Sequence, residues 1–166
     1  MFRENIARSH VLNDGGVLTT QIMLATALPL YAGDVVTNLT FASGGTAAAS
    51  PTNWWFALYS DDATPALLGQ TADQLTGAWA ASTAKTLALS SAVQITRTGV
   101  YYAAVMVKAG TVPSLVGLAT LTGAVTGITT GDKTLTTVSG SALTGTAPAT
   151  IASPSVSAFV PRVVAT

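Results

Sequence analysis

Asn53-Trp54-Trp55-Phe56-Ala57-Leu58-Tyr59 is the stretch that decides the reading of this chain. Alternate residues of a strand point to opposite sides, so Trp54, Phe56 and Leu58 share one face and Trp55, Ala57 and Tyr59 the other. Neither face is polar. Such a strand belongs in the middle of a two-layered β structure, or between a sheet and a partner chain, because only there do both sides leave water. Adjacent tryptophans cannot face the same way. Whichever of Trp54 and Trp55 lies in a given core, the other needs cover from the second sheet, the C-terminal tail or another subunit. The natural neighbour is Val100-Tyr101-Tyr102-Ala103-Ala104-Val105-Met106-Val107, also apolar on both faces and introduced by Gly99. Each large apolar side chain buried there contributes about 1.5–3 kcal/mol against the cost of ordering the chain.

Outward from this pair the chain reads as strands and turns. Residues 1–17 are its most charged part and end in Asn13-Asp14-Gly15-Gly16, a strong turn signal. They read as an N-terminal arm, or as one short strand over 6–12 followed by a hairpin turn. Residues 19–28 have strand-compatible composition up to Pro29. Gly33-Asp34 turns the chain into 35–41, with Val35, Leu39 and Phe41 expected on one side and Asp34, Asn38 and Thr40 on the other. A small-residue loop over 43–52 delivers the tryptophan strand, and 60–65 turn away from it towards a short strand at 67–70. Residues 71–83, with Trp79, permit a helical turn that Gly77 keeps short. Residues 85–89 alternate again with Leu87 and Leu89 inward, and Val93 and Ile95 continue the period. After the 100–108 strand, 110–113 form a turn and 114–121 the last strand of the core.

From Thr122 the texture changes to Thr, Gly, Ala and Ser, punctuated by Pro148, Pro154 and Pro161. The expectation is an arm at 1–17, a sandwich core at 18–121 and an extended Gly/Thr-rich segment at 122–166. That segment pairs in part over 133–138 and 155–164, and leans on the core or on a neighbour. About eight short strands, turns every eight to twelve residues and no long helical pattern specify an all-β sandwich. A jelly-roll-like arrangement is favoured over an immunoglobulin-like one, because strands of similar length run through most of the chain and no Cys-Trp-Cys signature occurs.

At 166 residues the chain fits one domain, long enough to bury roughly two-thirds of its unfolded surface without disulfides or metal. Charged residues make up 8% of it, against roughly 25% in ordinary soluble domains. Seven positive and seven negative residues cancel. A lone domain normally keeps a charged surface and a net charge away from zero, so this surface suits permanent packing among other subunits; the alternative is a monomer with a neutral polar surface. The scattered cations exclude a basic nucleic-acid footprint. No apolar run is long enough to span a bilayer, and the first residues do not lead into a signal-peptide core. The expected place of synthesis and assembly is a cytoplasm.

Chemistry is sparse. His10 is the one histidine and Glu4 the one glutamate, and cysteine is absent. A Ser-His-Asp triad would have to recruit His10 without a Gly-x-Ser-x-Gly elbow, and a His/Cys zinc site lacks its ligands. Asp61-Asp62, with Asp34 or Asp73, invites a calcium reading but lacks the spacing of a calcium loop, so a solvated turn is expected instead. Asn38-Leu39-Thr40 matches the glycosylation sequon by chance within a strand. No catalytic residue, metal site or cofactor is expected. The aromatics Trp54, Trp55, Phe56, Tyr59, Trp79, Tyr101 and Tyr102 remain. Core and interface packing is the expected role; the functional alternative is a stacking platform for sugar rings, made by the tryptophans and tyrosines.

One resemblance adds to this reading. The run Thr52-Asn53-Trp54-Trp55-Phe56-Ala57-Leu58-Tyr59, then Leu67-Leu68-Gly69-Gln70-Thr71-Ala72-Asp73, Trp79-Ala80-Ala81, Lys85-Thr86-Leu87 and Gly99-Val100-Tyr101-Tyr102, resembles a domain of virion proteins from tailed phages infecting actinobacteria. Such proteins are labelled minor tail, head-fibre or capsid-associated. The likeness covers roughly residues 18–117 and brings no catalytic motif. It implies a non-enzymatic structural protein of the virion, assembled in the host cytoplasm, that decorates the capsid or attaches to the tail. Its implied partners are major capsid or tail proteins and further copies of itself, with no nucleic acid or membrane. The alternative is a carbohydrate- or host-receptor-binding module on the same particle, whose partner would be a host-surface glycan.

Overall fold

The computed structural model describes residues 1–10 and 13–166. Their thirteen strands, numbered along the chain, form three sheets in which every pairing is antiparallel. The largest runs in the order β11 (Ser155–Val156), β10 (Thr136–Ser139), β3 (Met23–Leu30), β8 (Gly99–Thr111), β5 (Ala49–Tyr59) and β6 (Leu67–Gln70). A four-stranded sheet has the order β1 (Arg3–Glu4), β13 (Val163–Ala165), β4 (Val35–Ala42) and β7 (Ala84–Gln94). A small third sheet joins β12 (Phe159–Pro161), β9 (Ser114–Ala119) and β2 (Asn13–Val17). Single bridges tie the sheets together, Thr71 to Leu89 and Ser43 to Leu115. The all-β sandwich expected from the strand pattern is what the chain forms.

The tryptophan strand β5 is the fifth of the six strands in the large sheet, between β8 and the short edge strand β6, and is in register with β8. Trp54 lies opposite Val107, Phe56 opposite Val105 and Leu58 opposite Ala103, all buried. Those residues face the four-stranded sheet, where Val36, Leu39, Phe41 and Val163 complete the main core. The reverse face carries Trp55, Ala57 and Tyr59 opposite Met106, Ala104 and Tyr102. Met23, Ala25 and Ala27 of β3 extend it, and Leu143, Ala147 and Ile151 of the C-terminal segment cover it. The second apolar face thus finds its cover within the same chain. Between Gly140 and Pro154 that cover holds no strand, which fits its lack of large apolar side chains in alternation.

Several boundaries differ from the sequence reading, each for a local reason. Residues 1–17 supply two strands: β1 pairs with β13, and β2 with β9. In place of the short strand read over 6–12, Arg8–His10 form a 3-10 turn, while Val11 and Leu12 lie outside the described residues. The Asn13-Asp14-Gly15-Gly16 turn signal is instead strand, with a bulge between Asp14 and Gly16. An aromatic ring replaces the side chain that glycine lacks: Phe159 lies where a Cβ on Gly15 would stand, 1.8 Å from its Cε2. Strand β3 runs through Pro29 to Leu30. Ala27 donates its N–H to Leu135 O at 2.7 Å, so the N–H side of alternate residue 29 points beyond the end of β10, where no donor is missed.

On β4 a register shift between Val36 and Asn38 exchanges the faces. Val35, expected inward, is 41% exposed, and Val36 is buried instead. Residues 71–83 form turns without a helix, 84–94 make one strand, and 155–164 break into three short strands. The short helix α1 (Thr122–Thr126) spans the Gly-rich start of the C-terminal segment.

Candidate interaction surface

The seven aromatic residues singled out in the sequence divide between the two faces of the large sheet and are all buried. In the main core Trp54 stacks on Trp79, centroids 5.1 Å apart at 27°, and Phe56 meets Trp79 at 5.6 Å and 64°. Their indole donors end on backbone carbonyls: Trp54 Nε1 on Gly77 O at 2.8 Å, Trp79 Nε1 on Thr83 O at 3.0 Å. Tyr101 donates to Arg97 O at 2.9 Å. On the reverse face Trp55 Nε1 donates to Thr144 O at 2.7 Å, Tyr59 to Pro148 O and Tyr102 to Thr134 O, both at 2.9 Å. Burial pushes the phenol pKa of Tyr59, Tyr101 and Tyr102 above its ordinary value. A sugar-stacking platform built of these tryptophans and tyrosines is therefore not present on the surface.

Sequence reasoning passed over the polar side chains that fasten the cover. Gln70 Nε2 donates to Gly145 O and its Oε1 accepts from Ala147 N, both at 2.7 Å. Gln21 Nε2 donates to Leu143 O at 3.2 Å. An amide matches the paired donor and acceptor of an unpaired backbone, which a strandless cover must find somewhere. The visible signal was slight: two glutamines beside otherwise apolar strands.

The carboxylates are spent on contacts elsewhere within the chain. Arg3 makes two bonds to Asp34, at 2.8 and 2.9 Å, and lies 4.5 Å from the Tyr31 ring centroid. Its guanidinium holds the Asp34 carboxyl below the usual carboxylate range. Glu4 pairs with Arg162, and Arg97 bridges Asp61 and Asp62. The Ser60 hydroxyl and Arg97 lower the Asp62 pKa. Asp73 accepts from Trp54 N at 2.9 Å, Leu75 N at 3.1 Å and Asn53 Nδ2 at 2.5 Å. Asp132 accepts from Ile128 N, Thr129 N and Thr129 Oγ1, and those donors depress its pKa. Asp14, held by Ser114 and by Gly45 N at 2.7 Å, is lowered too. All seven acids of the chain therefore have partners inside it.

The groups considered for calcium are consequently apart: Asp61 and Asp62 face Arg97, Asp34 faces Arg3, and Asp73 caps the backbone at Trp54. No group of three or more potential metal ligands occurs among the described residues. His10 is exposed at the N-terminal 3-10 turn, on a hollow shared with Asn5 and Thr120. The Asn38 amide of the sequon donates to Thr37 Oγ1 at 2.9 Å, within β4. No described helix is long and apolar enough to cross a membrane.

The outward side of the four-stranded sheet is small and neutral along β7. Along β7 the exposed residues are Ala84, Thr86, Ala88, Ser90, Ser91, Ala92 and Gln94, without one charge. Among the described residues the ion pairs leave Arg8, Lys85 and Lys108 as unpaired basic side chains besides His10 and Lys133; Lys133 donates to Asp61 O at 2.8 Å. Set against known proteins, the chain is matched by no family model and by no curated protein.

Proposed function

We propose that this chain is a structural protein of a tailed-phage particle, decorating the capsid or attached to the tail, and that it works by protein–protein contact without catalysis. The observation that carries the reading is the fate of its charges. Charged residues are 8% of the chain and cancel, and Asp34, Glu4, Asp61 and Asp62 are paired with arginines of the same chain, so no net charge keeps separate copies apart in solution. A surface of Thr, Ser, Ala and Gly loses little hydration when a neighbour covers it, whereas a charged surface resists desolvation. Two buried apolar layers give a rigid body, and rigidity limits the ordering cost of assembly. The partners in this reading are copies of the chain and the major capsid or tail proteins, met in the host cytoplasm during assembly.

Quantitative mass spectrometry of purified particles, grown from a host carrying the gene, tests the reading. The expected result is peptides of this chain at a constant ratio to the major capsid or tail protein through successive density gradients. Loss of the chain on the first gradient, while the particles stay infectious and intact, would overturn it.

A further inference from the structure

We propose that the surface formed by β3, α1 and the 127–135 loop is a contact between two copies of this chain, each seating its Ile128 against the other's Ala27, Pro29 and Leu135. The proposal rests on the self-associating part of the reading above and names the surface responsible.

The location follows from where the cover of the reverse face ends. Leu143, Ala147 and Ile151 close that face around Trp55, Tyr59 and Tyr102. Strand β10 pairs with β3 only as far as Thr26, so beyond that point the flank of β3 is open. There Ala27, Pro29 and Val100 line a hollow of about 410 Å³, with Ile128 and Leu135 on its walls. A second hollow of about 330 Å³ shares Ala27 and Leu135 and continues onto Ile6, Leu118 and Val160. Together they make a continuous apolar depression.

Ile128 on its wall is 83% exposed, a value shared by Leu121 just before α1 and the highest among the exposed large apolar residues described. Contiguous apolar surface of this kind marks protein contact sites. Asn5, His10 and Thr120 are the polar residues along the depression, and Asp132 and Lys133 stand at its rim. The Asn5 amide already donates to Thr26 Oγ1 and Pro161 O and accepts from Val163 N.

Charge decides in favour of a second copy. A net charge of zero means like surfaces meet without mutual repulsion. The rim carries Asp132 next to Lys133, and a two-fold axis sets such a neighbouring pair against its own complement. A strongly acidic or basic partner would find no matching field here. A projecting Ile128 beside a hollow is likewise self-complementary: knob and socket exchange across the axis.

The test is absolute mass by light scattering after size exclusion, for the full chain over a range of concentrations, together with three single variants. Ile128→Asp alters the knob and Pro29→Asp the floor; both sites are exposed, so the melting temperature should stay put. Leu75→Asp, at a site 57% exposed on the 71–83 loop, is the control. The expected result is a wild-type assembly with an even number of chains. Ile128→Asp and Pro29→Asp should each weaken it by about tenfold or more, and Leu75→Asp should leave it unchanged.

A wild type that is monomeric at every concentration would overturn both this surface and the self-association it rests on. An assembly untouched by Ile128→Asp, or weakened by only one of the two interface variants, would overturn the surface while leaving self-association standing. Membership of a particle is decided separately, by the mass spectrometry above.

Discussion

Replacing Trp55 with alanine is the sharpest test of the covered reverse face. The indole is fully buried, opposite Met106, and its Nε1 donates to Thr144 O at 2.7 Å. Truncating a core tryptophan to alanine costs about 3–5 kcal/mol. The carbonyl of Thr144 is also left without its donor, which adds about 1 kcal/mol where water cannot replace it. For a chain of this size 1 kcal/mol moves the melting temperature by about 2–4 °C, so the combined loss of about 4–6 kcal/mol predicts a fall of roughly 8–24 °C. Trp55→Phe restores most of the apolar contact without the donor and should recover more than half of the loss.

The location of the damage is as informative as its size. Trp55 touches the cover over 143–151 and not the main core, so Trp55→Ala should expose that segment to protease before the sandwich unfolds. Trp54→Ala, in the main core against Trp79, should lower global stability by a similar amount without selective cleavage there. Differential scanning calorimetry and timed proteolysis with mass mapping of the fragments read both quantities. A Trp55→Ala protein melting within about 2 °C of wild type, with residues 140–151 still protected, would refute the assignment of that segment as the cover.

Three further outcomes are expected. Gly117→Ala places a Cβ 2.2 Å from Val160 O and 2.7 Å from Pro161 Cα; because both contacts are backbone, the β9–β12 pairing must open, at about 1–3 kcal/mol by chemical denaturation. The carboxyl pKa values of Asp14, Asp34, Asp62 and Asp132 are depressed in the folded chain, so the stability they supply is present above the unfolded value of about 3.9 and is lost as pH falls through the folded values. A melting curve level across neutral pH and declining below about pH 4 is expected, with a shallower decline for Asp34→Asn. The pKa values of Tyr59, Tyr101 and Tyr102 are raised, and the stability from keeping these phenols neutral persists below about pH 10 and is lost as pH rises through the folded values. In an alkaline titration followed by tyrosinate absorbance, these three of the four tyrosines should ionise late, together with loss of the folded circular-dichroism signal; smooth ionisation of all four while the fold persists would contradict their burial.

Much of the fold was legible because a strand's period is local. Alternating faces in 53–59 and 100–107 place Trp54 and Trp55 on opposite sides without knowledge of any partner strand, and the pairing of Trp54 with Val107 follows that logic. Bulges were not legible. The shift at Val36–Asn38 reverses which valine is buried, since it depends on how many residues of β7 the sheet accommodates opposite β4. Pro29 looked like a strand terminus, yet the end of β10 leaves its position without need of a donor. Gly15 and Gly16 looked like a turn, and the ring of Phe159, some 140 residues away in sequence, makes them strand.

The surface divides in the same way. Composition alone determined that charge is scarce and balanced, that His10 and Glu4 have no second copy of their kind, and that two apolar strands need cover on both faces, because counts and alternation are properties of the linear chain. Only the tertiary structure decided that the seven acids are internal fasteners, that Gln70 and Gln21 hold the cover, and that Ile128 stands beside an open hollow. Those facts depend on which distant groups meet. A hydrogen bond acts over about 3 Å, and only folding brings residue 70 to residue 147, or residue 4 to residue 162, within that reach.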